Sequence, residues 1–400
     1  MKVLWVNSNF MHPTTKGGQI RTLEMLRHLN RWHEIHYVAI ENPAYPEGPA
    51  RAHEYCAKAY PFRYKIPDKR SAAFWTELLW GLVSPTPVAV ERFHPPGMRQ
   101  FLEELIAREG FDTAVVDHLA PTSYFPFLER AVFFQHNVET VIWRRRVEHA
   151  PAGPSRWYNA VQARRMHEYE GRVSRKAGRI VAVSETDARE MRELFQVQEV
   201  AVIPTGVNLE YFGRPASVVD GKTDLVFVGS MDWLPNVDGV LWFVREVLPI
   251  IRRRRGGCSL TIAGREPPPE IRRLAEEDPG ISVTGTVPDI RPFLWGAALS
   301  IVPLRIGGGT RLKIYESMAA GISVVSTGVG AEGLSVHPPE DIRIADSAEG
   351  FAECCVALLA DAAGRVLMAK AALEMVVGRY SWEHVSRCFD EVLKTAPRLK

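Results

Sequence analysis

The sequence predicts an α/β protein built from two Rossmann-like, doubly wound domains facing each other across a cleft. Three observations carry this. The chain has 400 residues, enough for two well-buried cores at roughly 100 to 200 residues each. Short β-branched runs alternate with helical stretches, the pattern of a parallel sheet wrapped by helices. The alternation loosens from Tyr211 to Lys222 and then begins again, which puts a hinge between two similar halves.

In the first half the strands fall at Lys2 to Asn7, Glu34 to Ile40, Thr113 to Asp117, Ala131 to Gln135, Arg179 to Val183 and Val200 to Pro204. Ser184, followed by Glu185 and Asp187, reads as an N-cap with an acidic first turn and starts a helix to about Phe195. In the second half the strands fall at Asp224 to Gly229, Ser259 to Gly264, Ile281 to Thr284, Leu299 to Pro303 and Ile322 to Ser326. Helices are expected between them at Asn236 to Arg255, Pro267 to Glu277, Asp289 to Gly296 and from about Thr310 to Ala320. Helical sequence resumes from Ala348 to Val377, and Ser381-Trp-Glu-His opens a last helix, to about Lys394, with a capping-box-like start. The expected domains are 1–206 and 207–378, with 379–400 a helix that packs back on the first. Ligands of open α/β sheets bind at the carboxyl ends of the strands, so the loops there should hold the chemistry.

Bulk properties narrow the class. Apolar residues make up 46% and charged residues 24%, an ordinary globular composition. With 49 basic and 47 acidic side chains the net charge is +2, so no global field draws the chain to nucleic acid. The start, Met1-Lys-Val-Leu-Trp-Val-Asn-Ser, lacks the apolar stretch of a secretory signal, and no run reaches about 18 apolar residues. A cytoplasmic protein is expected, on the inner face of the membrane if it touches one. Cys56, Cys258, Cys354, Cys355 and Cys388 show no C-x-x-C spacing and read as reduced packing thiols.

The strongest chemical signal runs from Val302 to Gly321. A strand ends, Gly307, Gly308 and Gly309 let the backbone approach a ligand without Cβ interference, and a helix begins with free N–H groups and a positive dipole end. That combination suits a phosphate. Lys313 and Glu316, three apart, share a helix face that can set an ammonium at a diphosphate and a carboxylate at ribose hydroxyls. Arg311 lies about 140° around from Glu316 and is the less direct phosphate contact. The same residues read structurally are a loose turn and a solvated ion pair. The glycine loop is neither a Walker loop nor a G-x-G-x-x-G fingerprint, which lowers ATP hydrolysis and hydride transfer.

Other strand ends add candidates. His136 follows the apolar run Ala131 to Phe134, where an imidazole can reach a ligand hydroxyl; the structural reading is a satisfied histidine. Glu139 either orients His136 or caps the following helix. Gly17 and Gly18 open a helix after the first strand, a second place for a phosphate or else a mobile connection. Asp117 and His118 end a strand and serve either an acceptor or a cap. Phe74, Trp75, Leu78, Leu79 and Trp80, with Trp143, Arg144 to Arg146 and Arg164-Arg165, form either a membrane-facing surface or a packed apolar face beside solvated arginines.

Taken in order, the Gly17-Gly18 loop, Gln135-His136-Asn137-Val138-Glu139, Val183-Ser184, Ile203-Pro204-Thr205-Gly206-Val207-Asn208, Phe227-Val228-Gly229-Ser230, Ile262-Ala263-Gly264 and Glu316-Ser-Met-Ala-Ala-Gly resemble the large retaining glycosyltransferase family of the GT-B fold, group 1 or family 4-like. The glycine loop and the His136 segment look most like members from exopolysaccharide clusters. The resemblance implies an acceptor-binding first domain, a nucleotide-sugar-binding second domain, and transfer of a sugar to an acceptor hydroxyl with retention. It implies ribose binding by Glu316 and contact of His136 with the donor sugar. The catalytic candidates are His136, Lys313 and Glu316; the donor set is Gly17, Gly18, Gly307, Gly308, Gly309, Thr310, Arg311, Lys313 and Glu316; the acceptor set is Asp117, His118 and Glu139. Many members carry a glutamate at the position of Gly308, and an Arg and a Lys where this chain has Gly229-Ser-Met-Asp-Trp-Leu-Pro-Asn. Phosphate charge is then left to Lys313, Arg311 or Arg265. With no Asp-x-Asp motif and no His/Cys cluster in sequence, no metal and no cofactor beyond the nucleotide-sugar co-substrate are expected. The acceptor is a saccharide, a lipid-linked sugar or a small molecule. Rival functions are a sugar-nucleotide epimerase or hydrolase of the same fold, and a non-catalytic sugar-nucleotide binder.

Overall fold

A computed structural model describes residues 1–14, 17–67, 71–215, 223–306 and 312–399. They form two compact units: Met1–Pro204 with Trp382–Lys400, and Thr205–Ser381.

Unit 1 is a sheet of β1 (Lys2–Val6), β2 (Glu34–Glu41), β3 (Lys58–Arg63), β4 (Thr113–Asp117), β5 (Ala131–Phe134), β6 (Arg179–Ala182) and β7 (Ala201–Val202), in the order β3-β2-β1-β4-β5-β6-β7. Every pairing is parallel. Side chains of β1 alternate between two cores, Leu4 and Val6 in one, Val3 and Trp5 in the other, so both faces of the sheet are buried under helices. These include α1 (Gly17–Leu29), α2 (Ala72–Trp80), α3 (Met98–Glu109), α4 (Glu139–His149), α5 (Pro154–Lys176) and α6 (Glu185–Phe195). Ser184 caps α6 by accepting from the Asp187 N–H, as its sequence position predicts. The strand order reverses direction between β1 and β4, the switch point at which such sheets open a crevice at their carboxyl ends.

Unit 2 repeats the plan with β8 (Thr223–Val228), β9 (Leu260–Ala263), β10 (Ile281–Gly285), β11 (Ala297–Val302), β12 (Ser323–Ser326) and β13 (Arg343–Ile344), ordered β10-β9-β8-β11-β12-β13. Its switch point lies between β8 and β11. The helices used below are α7 (Leu234–Trp242), α8 (Leu248–Arg255), α9 (Pro269–Glu277), α10 (Leu312–Ala319), α11 (Ala348–Ala360) and α12 (Ala362–Arg379). The last helix, α13 (Trp382–Thr395), belongs to unit 1, where Phe389 packs on Trp5 and Phe134 with ring centroids 5.4 and 5.1 Å apart.

Some elements differ from the sequence expectation for identifiable reasons. The helix expected from Asn236 to Arg255 opens into a π turn at Phe243–Val247, just before Pro249, whose missing N–H cannot continue the α ladder. The helix expected from Ala348 to Val377 is two, because the Asp361 side chain accepts from the Gly364 N–H and starts α12 afresh. Asp289 likewise accepts from the Arg291 N–H and shortens the expected Asp289 to Gly296 helix to Arg291–Trp295. Strand β3 was not expected; it carries Pro61 and survives because it is an edge strand.

Candidate functional site

The carboxyl ends of β1 and β4 build a polar cluster in unit 1. Asp117, the last residue of β4, is 0% exposed and collects four donors. Its Oδ2 accepts from Trp5 Nε1 (3.0 Å), Asn7 Nδ2 (2.8 Å) and Thr22 Oγ1 (2.8 Å). Its Oδ1 lies 2.7 Å from His136 Nε2. A carboxylate can only accept, so His136 carries its proton on Nε2 and turns the Nδ1 lone pair to Arg21 Nη1 at 3.2 Å. Burial beside the His118 ring pushes His136 down to about 3, and the imidazole is neutral. The donors and the neighbouring imidazoles outweigh burial at Asp117 and hold its carboxyl far below the ordinary range. Burial brings Arg21 down to about 10, against the pull of Asp187 and Asp117, so it stays charged.

His118 is the accessible part of this cluster. Its side chain is 36% exposed, and its ring stacks on that of His136 with centroids 3.8 Å apart. The backbone pays for that placement with φ of +73°, a left-handed value that a residue with a Cβ rarely adopts. A hydrogen bond from the His118 N–H to the Phe134 carbonyl, 2.9 Å, fixes it. A Cβ on Gly18 would lie 3.5 Å from His118 Cε1 and Nε2 and 3.6 Å from His136 Nδ1, so the start of α1 covers the imidazole pair.

Asp117, His118 and His136 offer ligand atoms within 4.8 Å of one another, a grouping that sequence spacing did not reveal. Both Asp117 oxygens already accept from donors, and Arg21 Nη1 lies 3.2 Å from His136 Nδ1.

Glu139 begins α4 without entering this cluster. The cap of α4 is Glu170 of α5, which accepts from the N–H groups of Glu139 (2.9 Å) and Thr140 (2.7 Å), from Thr140 Oγ1 and from Gln135 Nε2. His136 is oriented by Asp117 and Arg21 instead. Both roles weighed for Glu139 are thus filled by other residues. Burial and the nearby Glu170 raise the Glu139 carboxyl to about 7.

Unit 2 brings Lys313 to the end of β8. Lys313 Nζ donates to Asn236 Oδ1 at 2.8 Å and sits 4.4 Å from the centroid of the Phe227 ring. Gly229 makes room: a Cβ there would lie 2.6 Å from Lys313 Nζ and 2.9 Å from Asn236 Nδ2. At the end of β9, a Cβ on Gly264 would meet the Gly229 carbonyl oxygen at 1.8 Å, so these two strand ends close up only as glycines. Glu316 follows one turn after Lys313 on α10; burial raises its carboxyl to about 7, with Lys313 opposing. Gly307, Gly308, Gly309, Thr310 and Arg311 lie outside the described residues.

Residues 15–211 match the family described as Glycosyltransferase Family 4, and residues 222–361 match Glycosyl transferases group 1. The chain is a GT-B glycosyltransferase. Its fold is similar to that of sucrose-phosphate synthase from Thermosynechococcus elongatus, with TM-score 0.71, 16% identity and 98% of each chain covered. It is also similar to Anabaena HepE in complex with UDP and glucose, with TM-score 0.67, 12% identity, and coverage of 99% of this chain and 100% of that one. In sequence it is 26% identical over 137 residues to an uncharacterized 44.6 kDa protein in the cps region of Klebsiella pneumoniae, a stretch covering 32% of this chain and 35% of that protein.

The family 4 match holds the Asp117 cluster, and the group 1 match holds Lys313 and Glu316. Sequence reading flagged Asp117, His118, Gly18 and His136 separately; the glycosyltransferase fold joins them. It missed Arg21, Thr22, Trp5 and Asn7, although Arg21 stands four residues after Gly17 on the same helix face. The sequence marks Asn236 as the start of a helix and the end of a segment lacking cations, and neither shows its bond to Lys313.

No helix among the described residues is long and apolar enough to cross a membrane. The aromatic and basic segment divides. Trp143 is buried, whereas Trp75, Leu79, Trp80, Val83 and Trp157 are 58 to 69% exposed. Tyr158 Oη donates to the Leu78 carbonyl, Gln162 Nε2 donates to the Gly81 carbonyl at 2.7 Å, and Arg165 binds the Gly81 and Leu82 carbonyls, tying α2 and the turn after it to α5.

Proposed function

We propose that this glycosyltransferase moves a sugar from a nucleotide-diphosphate sugar to an acceptor hydroxyl, with retention and without a metal ion, in the assembly of a polysaccharide or glycoconjugate. The observation that carries the reading is the ammonium of Lys313 at the carboxyl end of β8, one helical turn from Glu316. As the glycosidic bond breaks, negative charge grows on the nucleotide phosphate. A cation already aimed there lowers the barrier more than it tightens ground-state binding. A carboxyl near pH 7 in its titration can accept from or donate to ribose hydroxyls. Gly307 to Arg311 belong to the donor site in this reading; in unit 1, taken by itself, Gly17 and Gly18 offer backbone N–H groups to a phosphate.

In unit 1, His118 meets sugar hydroxyls; behind it stand Asp117 and His136, whose two ring nitrogens are held by Asp117 and Arg21, and Glu139 lies toward the acceptor. A neutral imidazole suits that task, since it can both donate to and accept from a sugar hydroxyl. The HepE structure, described as containing UDP and glucose, supports a nucleotide-sugar donor. The cps-region relative supports polysaccharide synthesis.

The exposed tryptophans support work at a membrane surface. Three tryptophans, a leucine and a valine are exposed on α2, just after it and on α5, and Arg144, Arg146, Arg156 and Arg164 are exposed on α4 and α5; aromatic and cationic side chains together bind an anionic bilayer face.

A thermal-shift screen with UDP, GDP, ADP and TDP sugars tests the donor, because a ligand of the folded state raises apparent stability. Turnover with Lys313→Ala and Glu316→Ala then tests the site: each variant should strongly reduce transfer, and unchanged rates for both would remove the assignment. Donor consumed without any acceptor would favour an epimerase or hydrolase. Donor bound yet never consumed across a broad acceptor panel would favour a binder.

A further inference from the structure

The loop from Gly229 to Asn236 contains neither lysine nor arginine. It holds instead the partners of two cations that arrive from other strand ends. Ser230 Oγ lies 2.6 Å from Arg265 Nε, and Asp232 Oδ2 lies 3.3 Å from Arg265 Nη2. Ser230 Oγ in turn bonds Asp232 Oδ1. Asn236, almost wholly buried, accepts from Lys313 Nζ with Oδ1 and donates to the Ser230 carbonyl with Nδ2 at 2.6 Å. The Met231 N–H donates to the Arg265 carbonyl at 2.9 Å, so backbone and side chain of Arg265 are both tied to the loop. The result is an unbroken chain of contacts from Arg265 through Ser230 and Asn236 to Lys313.

Long cationic side chains are mobile unless something holds them, and a held cation loses less freedom when it binds an anion. Each hold here comes from a short, rigidly placed polar side chain. Asn236 is anchored by the first turns of α7, and Ser230 follows a glycine that must pass within contact of Gly264. The two guided cations flank one place, the carboxyl ends of the adjacent strands β8 and β9, where Gly264 lets its strand end close on the Gly229 carbonyl and Gly229 leaves room for the Lys313 ammonium.

We propose that Arg265 is a second diphosphate ligand beside Lys313, and that Ser230 and Asn236 are positioning residues that aim the two cations at one anion. The proposal rests on the reading of unit 2 as the donor-binding unit. In it the loop that carries no charge sets the direction of charges carried elsewhere. Asp232 balances Arg265 in the free protein and is displaced from it by the incoming phosphate.

The test uses the full chain and inorganic pyrophosphate, a probe independent of base and sugar, with affinity read by isothermal titration calorimetry. Arg265→Ala and Lys313→Ala should each weaken pyrophosphate about tenfold or more, the loss of one charge-assisted contact. Ser230→Ala and Asn236→Ala should weaken it less, with KM for the donor rising more than kcat falls and the thermal midpoint unchanged. Ser230→Thr, which keeps the hydroxyl, should restore binding. The deciding comparison is a double-variant cycle. If Asn236 acts through Lys313, Asn236→Ala costs nothing further in the Lys313→Ala background; the same holds for Ser230→Ala in the Arg265→Ala background. Additive losses in both cycles, or unchanged affinity in Arg265→Ala while wild type binds the donor, overturn the proposal and leave the glycosyltransferase reading intact. A wild type that binds neither pyrophosphate nor any UDP, GDP, ADP or TDP sugar overturns both.

Discussion

Replacing Asp117 by asparagine changes one atom and leaves no arrangement that satisfies the cluster around it. If the amide nitrogen takes the place of Oδ2, it points N–H at Trp5 Nε1–H and Asn7 Nδ2–H; only the Thr22 hydroxyl can rotate to accept. If it takes the place of Oδ1, His136 must move its proton to Nδ1, which then confronts the Arg21 guanidinium at 3.2 Å. The second arrangement strands fewer groups. A stranded buried donor costs about 1–3 kcal/mol, and the buried charge of Arg21 also loses a counter-charge. We expect about 3 kcal/mol of destabilisation, measured by urea unfolding near neutral pH under near-ultraviolet circular dichroism. Long-range nitrogen–proton NMR should show His136 changing from the Nε2–H to the Nδ1–H form. A variant within about 1 kcal/mol of wild type, with His136 still protonated on Nε2, would refute this reasoning. The wild type should also be acid-labile through the same groups. His136 is neutral in the fold with its value lowered from 6.5 to about 3, so its contribution is present above 6.5 and is lost as pH falls toward 3. The lowered value of Asp117 acts in the same sense at lower pH.

Three further outcomes are expected. Gly229→Ala puts a Cβ 2.6 Å from Lys313 Nζ and displaces the ammonium, so steady-state kinetics should show donor kcat/KM falling about tenfold or more, a shift of about 1.4 kcal/mol. Glu316 has its carboxyl raised from 4.5 to about 7, so the folded state holds the extra proton and stability falls as pH rises through that window, by up to about 3 kcal/mol. Glu316→Gln should therefore be the more stable protein at pH above 7 in thermal unfolding, and equal stability there would contradict the burial of that carboxyl. Replacing Trp75, Leu79 and Trp80 together by serine should abolish co-sedimentation with vesicles containing anionic phosphatidylglycerol while leaving far-ultraviolet circular dichroism unchanged; wild-type protein that stays in the supernatant would remove the membrane role.

The sheet was legible because its central strands are buried on both faces. Val3-Leu4-Trp5-Val6 and Ala131 to Phe134 are nearly continuous apolar runs with no competing period. Edge strands were not, since β3 is Lys-Ala-Tyr-Pro-Phe-Arg and looks like a loop to any propensity argument. Helix breaks at Asp361 and around Pro249 turn on single hydrogen bonds that hydrophobic period does not register. In the site, strand-end logic pointed to Asp117, His118 and His136 one at a time. What it could not give is who bonds whom. The tautomer of His136 depends on Arg21, 115 positions earlier, and the aim of Lys313 depends on Asn236, 77 positions earlier. Both pairings exist only once the sheets have brought strand ends together.

The return of α13 to unit 1 also orders the birth of the molecule. Phe389, which fills the space between Trp5 and Phe134, is made only after all of Thr205–Ser381. At roughly 5–20 residues per second, that interval is on the order of 10 to 35 s. Throughout it, the first unit waits with part of its interior open while the second is being made, and at its end the second has every residue it needs. The first unit to begin is therefore the last to finish, and a ribosome that stops short of α13 releases a chain whose N-terminal half still shows apolar surface to the quality-control machinery.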